Sequence, residues 1–125
     1  MKTAVTIALF CAGGGLARYY FSGWVYGLLG RAFPYGTFAV NVVGAYLIGL
    51  VMELGLTSTL ISDTLRVGLT VGFMGGLTTF STFSYETFTL LEEGRFGVAF
   101  ANVLASVAVC LVCTWLGIYT IRSIS

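Results

Sequence analysis

Histidine is absent from this 125-residue chain, and charged side chains make up only 9% of it. The first absence removes the commonest general base and the commonest metal ligand. With no credible nucleophile–base pair elsewhere, an enzyme is the least favoured class. The scarcity of charge, beside 58% hydrophobic residues and a mean hydropathy of +0.97, places the chain outside the range of soluble domains of this size. A net charge of +1 implies no strong attraction to nucleic acid, and no nucleic-acid partner is expected. Cysteine occurs three times, at Cys11, Cys110 and Cys113, each inside an apolar run where it reads as a small buried hydrophobe. Cys110 and Cys113 have a redox spacing, but that chemistry needs an exposed, electropositive helix start rather than the middle of a membrane span.

What the chain does have is hydrophobic length. Four apolar runs, about 3–28, 36–56, 65–91 and 96–122, predict an all-α integral membrane protein of one domain over residues 1–125, passing the bilayer four times and surrounded by lipid. Met1-Lys2-Thr3 resembles a signal peptide only superficially, because the run behind it continues toward Leu28, too long for a signal core. It is read as a retained first span. Gly13-Gly14-Gly15 has neither the strand before it nor the soluble pocket of a nucleotide loop, so close helix packing is expected there.

The third span is the one that does not fit a plain lipid-facing helix. From Gly72 to Thr87 it is crowded with glycines and hydroxyls and reaches a carboxylate at Glu86. Gly75-Gly76 supplies a helix stop through left-handed backbone, and Leu77-Thr78-Thr79 a helix start through threonine capping, so the span is predicted to be interrupted at 75–79 near mid-membrane. Backbone groups freed there are tolerated only against protein or a water-filled cavity. Carbonyls end the first half-helix and amides begin the second, which puts a cation site and an anion-friendly site side by side. Gly68, Gly72 and Gly76, at successive i+4 steps, form a face that another backbone can approach closely.

Other polar residues sit in the remaining spans. Arg18 either anchors at the membrane edge beside Tyr19, Tyr20, Trp24 and Tyr26 or attracts anions into a vestibule. Thr37 and Asn41 share one face of the second span. Asn41 either hydrogen-bonds a neighbouring helix or donates to a permeating anion. In the fourth span Asn102, Ser106, Cys110 and Thr114 recur at i+4 intervals and read as a polar track, against the alternative of hydroxyls bonding back to their own helix. Phe80 and Phe83 project from one side of the second half-helix. Their positive ring edges suit an anion that must bind weakly enough to leave. Glu86 has three open readings: proton carrier, partner for Arg18 or another arginine, or interfacial anchor.

Four spans place Lys2, Arg66 and Arg122 on one side and Arg18, Arg31 and Arg95 on the other. Three against three gives no preferred direction of insertion, and an antiparallel homodimer is the expected product.

The run Gly75-Gly76-Leu77-Thr78-Thr79-Phe80-Ser81-Thr82-Phe83-Ser84-Tyr85-Glu86, with Arg18 after its glycines and Asn41 before Gly44, resembles the signature of the Fluc (CrcB) family of bacterial fluoride channels. The resemblance spans essentially the whole chain. It implies a dual-topology homodimer in the bacterial cytoplasmic (inner) membrane, with two oppositely oriented fluoride pores that let fluoride leave the cytoplasm passively. It implies pore lining by Phe80 and Phe83, Asn41 as anion ligand, and a track at Asn102, Ser106, Cys110 and Thr114. It also implies a structural sodium ion (Na+), not transported, held by the backbone carbonyls of Gly75 and Thr78. Family members often carry aromatic or hydroxyl residues where this chain has Asn102 and Cys110. On the residues alone, the Ser81 and Thr82 hydroxyls and the second half-helix's N-terminus suit a small anion. The alternative is a small dual-topology proton-coupled multidrug exporter, which wants an acidic residue in its first span, where none occurs. A non-conducting scaffold would explain the glycine faces but not the polar lining of the break.

Overall fold

The computed structural model describes residues 1–125, and its only regular secondary structure is helix. α1 spans Lys2–Leu29 and α2 spans Tyr35–Thr57. α3, Asp63–Val67, continues into a π-helical stretch, Gly68–Met74, and then into α4, Gly75–Leu77. After two extended residues, α5 covers Phe80–Glu92 and α6 covers Phe96–Ile124. The helix ends follow local chemistry. Ser62 accepts the Leu65 amide at 3.1 Å to start α3. Gly30 and Gly94 close the turns after α1 and α5 with positive φ of 81° and 76°, where a side chain would be strained.

α1, α2 and α6 are each long and apolar enough to cross a membrane. The third hydrophobic run reaches that length only as pieces. α2 packs chiefly along α6, and α1 along the π-helical stretch and α4. Only 21 of 125 residues are buried, while Leu9, Trp24, Leu104 and Leu111 stand more than 60% exposed. Such a surface is at home in an apolar solvent rather than in water.

The interruption of the third run differs from its expected form. Gly75 is helical, with φ −61° and ψ −37°, and Gly76 lies within α4, so neither stops the helix through left-handed backbone. The break consists of Thr78 (φ −91°, ψ 158°) and Thr79 (φ −152°, ψ 114°), both extended. Gly76, with Gly68 and Gly72, serves the packing against α1 instead. A Cβ on Gly76 would lie 2.6 Å from the Cys11 carbonyl oxygen, one on Gly72 2.9 Å from that of Ile7, and one on Gly68 2.7 Å from Thr6 Cγ2. Nothing in the residue pattern marks the π-helical stretch before the break, in which the Gly75 amide reaches back to the Thr70 carbonyl.

Candidate functional site: a polar cavity at the helix break

The Thr78-Thr79 break is satisfied by a small set of side chains. Thr78 closes the preceding turn twice over, its amide donating to the Met74 carbonyl at 2.9 Å and its hydroxyl to the same oxygen at 2.8 Å. Thr79 caps α5, its hydroxyl oxygen accepting the Thr82 amide at 3.0 Å. The Thr79 peptide is met by Asn41 of α2. The Thr79 amide donates to Asn41 Oδ1 at 2.8 Å, and Asn41 Nδ2 donates to the Thr79 carbonyl at 3.2 Å. A carboxamide carries a donor and an acceptor side by side, as an extended residue does, so Asn41 matches both.

A cavity of about 420 Å³ opens at this break. It collects residues from four separate stretches: Asn41, Gly75, Thr78, Phe80, Phe83, Ser106, Cys110 and Thr114 all border it, with Thr70, Thr79 and Val107 among the other lining residues. Phe80 is 78% exposed, and its ring centroid lies 5.4 Å from that of Phe83 at an interplanar angle of 44°. The cavity's outer rim is therefore the surface of the chain.

Of the residues expected to line the pore, three lie off the cavity: Ser81, Thr82 and Asn102. Ser81 and Thr82 are exposed on α5, Ser81 pairing with the Thr79 hydroxyl at 3.2 Å. Asn102 is 1% exposed and donates to the Thr87 hydroxyl at 2.8 Å, while Ser106 donates to Asn102 Oδ1 at 3.3 Å. Asn102 thus stands behind Ser106 and ties α6 to α5. The track hydroxyls do not all bond within their own helix: Thr114 of α6 donates to the Ala45 carbonyl of α2 at 2.9 Å.

Glu86 and Arg18 do not meet. Arg18 forms no ion pair; the two salt bridges are Arg66 with Asp63 at 3.6 Å and Arg122 with Glu53 at 2.8 Å. The partner of Glu86 is Tyr26, whose hydroxyl donates to Oε2 at 2.6 Å and also lies 3.3 Å from the Thr37 hydroxyl. Glu86 Oε1 is buried with no partner. The Arg31 guanidinium sits 4.2 Å over the Tyr26 ring, and Arg95 donates to the Ala32 carbonyl. Glu86, Arg31 and Arg95 border a second, smaller cavity of about 240 Å³ with Tyr85, Thr89 and Glu93. The aromatic run Tyr19 to Tyr26 pointed to this edge of the membrane, but nothing in the sequence linked Tyr26 to Glu86.

A helical chain with an apolar exterior, several spans and an interrupted segment beside a polar-lined cavity is a multi-pass integral membrane protein. The chain belongs to the CrcB family: the family described as "CrcB-like protein, Camphor Resistance (CrcB)" matches residues 5–118. A protein of Trichlorobacter lovleyi named "Fluoride-specific ion channel FluC" is 80% identical over 125 residues, covering all of both chains. Its namesake from Pelobacter propionicus is 75% identical over 124 residues, 99% of this chain and 96% of its own. That from Geobacter sulfurreducens is 63% identical, over 99% of this chain and 100% of its own.

Proposed function

We propose that the chain is a fluoride-specific ion channel that lets fluoride leave the cytoplasm down its gradient and so limits its toxicity. The observation that carries this reading is the single cavity that joins the start of α5, two phenylalanines and the Ser106, Cys110 and Thr114 face of α6. The full-length relatives named above supply the identity of the ion. Fluoride is small and strongly hydrated, so a path must exchange its waters for several modest donors. The α5 N-terminus offers backbone amides and the positive end of a helix dipole. Phe80 and Phe83 offer ring edges that attract an anion without a strong hydrogen bond to trap it.

The same reading includes four spans, residence in the bacterial inner membrane, and an antiparallel homodimer with two oppositely directed pores. The even division of Lys and Arg supports both orientations. The cavity's open rim at Phe80 suits completion by a second copy.

A structural Na+ fits the carbonyls of Gly75 and Thr78, which belong to residues bordering one cavity. The Thr79 amide goes to Asn41 and the Thr82 amide to the Thr79 hydroxyl. Neither therefore makes the usual helical bond back to Gly75 or Thr78, and both oxygens are left to a hard cation. Such an ion supplies fixed positive charge between packed helix ends and is not transported. The multidrug-exporter alternative lacks support: the relatives named above are ion channels by name, and Lys2–Leu29 holds no acidic residue.

The test is electrode-detected fluoride release from vesicles containing the purified chain, with chloride-loaded vesicles as control. Fluoride efflux without chloride efflux is expected. Equal release of both, or of neither, would remove the reading.

A further inference from the structure

We propose that Asn41 is a clamp that holds the helix break extended and, by doing so, keeps the Gly75 carbonyl available to a cation. A helix running through residue 79 would place the Thr79 amide on the Gly75 carbonyl, closing that oxygen. In the structure the amide is turned to Asn41 Oδ1 at 2.8 Å, and the Thr79 carbonyl is held by Asn41 Nδ2 at 3.2 Å. Both bonds come from one side chain on another helix and fall on one extended residue. Without them, two backbone groups at membrane depth would lack partners, and the nearest remedy is to rewind the turn onto Gly75. Asn41 also borders the cavity of the anion path. One carboxamide therefore joins the anion path to the cation site, with its acceptor oxygen as the part that withholds the Thr79 amide. Asn41 is in this sense a positioning residue, whatever contact its remaining N–H makes with the anion.

The inference rests on the cation reading given above, and the experiment separates the two. The readout is thermal unfolding of the purified chain in detergent, titrated with Na+ against a bulky organic cation, alongside fluoride efflux. Asn41→Asp keeps the acceptor for the Thr79 amide and places a charge beside the anion path. It should lose efflux while its half-maximal Na+ concentration stays within about threefold of the unaltered chain. Asn41→Leu removes both bonds and should need about tenfold more Na+. If Asn41 were an anion ligand only, both variants would lose efflux and both would keep the Na+ response, which overturns the clamp. An unaltered chain indifferent to Na+ removes the cation and its coupling together. Should Asn41→Leu not fold, Asn41→Ser, too short to reach both groups, takes its place. If neither folds while Asn41→Asp does, the clamp stands; failure of all three overturns the claim that the acceptor suffices.

Discussion

Tyr26 and Glu86, 60 residues apart in sequence, share a 2.6 Å hydrogen bond that joins α1 to the middle of α5. The bond is the only one Glu86's side chain makes, since its other oxygen is buried without a partner. Tyr26→Phe should leave the carboxyl group with no hydrogen bond at all. The expected cost is about 1–3 kcal/mol of stability, the penalty of an unsatisfied buried polar group. Thermal unfolding in detergent reads it, and an unchanged midpoint would show that the pair carries no weight.

Phe80 tests the anion path most directly, because its ring is 78% exposed and contributes little to the core of the chain. Phe80→Ile keeps apolar bulk but removes the polarised ring edge. Loss of an aromatic contact worth roughly 1.4 kcal/mol should slow fluoride efflux about tenfold, with the unfolding midpoint nearly unchanged. Undiminished efflux would take the ring out of the mechanism.

The glycine face of the third run gives a prediction with a built-in control. A methyl on Gly76 would meet the backbone of α1 at two points, the Cys11 carbonyl oxygen at 2.6 Å and the Gly15 amide nitrogen at 2.8 Å. Gly76→Ala should therefore force α1 and α4 apart at a cost of about 1–3 kcal/mol. Gly15→Ala, on the opposing helix, meets nothing within 4 Å and should be neutral or stabilising by up to about 1 kcal/mol through helix propensity. Equal effects on the unfolding midpoint would contradict the close crossing.

The helices were largely legible from hydropathy, because the polar turns at 30–34, 58–62 and 93–95 interrupt runs that are otherwise continuous. The break falls inside the expected interval 75–79, but its cause is not the glycine pair. Gly75 and Gly76 attract notice as helix breakers, whereas both are helical here, and at Gly76 it is the close approach of α1 that needs the missing side chain. The extended pair Thr78-Thr79 depends on a partner that only the fold reveals, Asn41. Periodicity puts Asn102 on the same face as Ser106, yet one turn earlier on α6 that face meets Thr87 of α5 instead of the cavity. The Tyr26–Glu86 bond left no local trace, since neither spacing nor composition encodes a contact across 60 residues.

Glu53 is 7% exposed near the end of α2 and is held by Arg122 at 2.8 Å, whose side chain is 66% exposed. Arg122→Gln leaves a buried carboxylate without its partner. A fully buried pair would lose about 3–5 kcal/mol, and the exposure of Arg122 reduces this to about 1–2 kcal/mol. Adding Glu53→Gln to that variant should recover most of the loss, because the uncompensated charge is removed with it. A double variant no more stable than Arg122→Gln alone would show that the arginine acts through packing.

Cys110 separates the cavity from every other face of the chain by its chemistry. It borders the cavity between Ser106 and Thr114, while Cys11 and Cys113 lie off it. A small thiol-modifying reagent added to vesicles should block fluoride efflux in the unaltered chain and in Cys11→Ala and Cys113→Ala, because the adduct fills space the ion must cross. Cys110→Ser preserves a small polar side chain and should conduct within about threefold of the unaltered chain, since it leaves the packing volume nearly unchanged. It should also resist the block. Persistence of the block in Cys110→Ser, with Cys11→Ala now resistant, would move the ion's route to the outer face of α1. The cavity at the break would then have to be read as packing space alone.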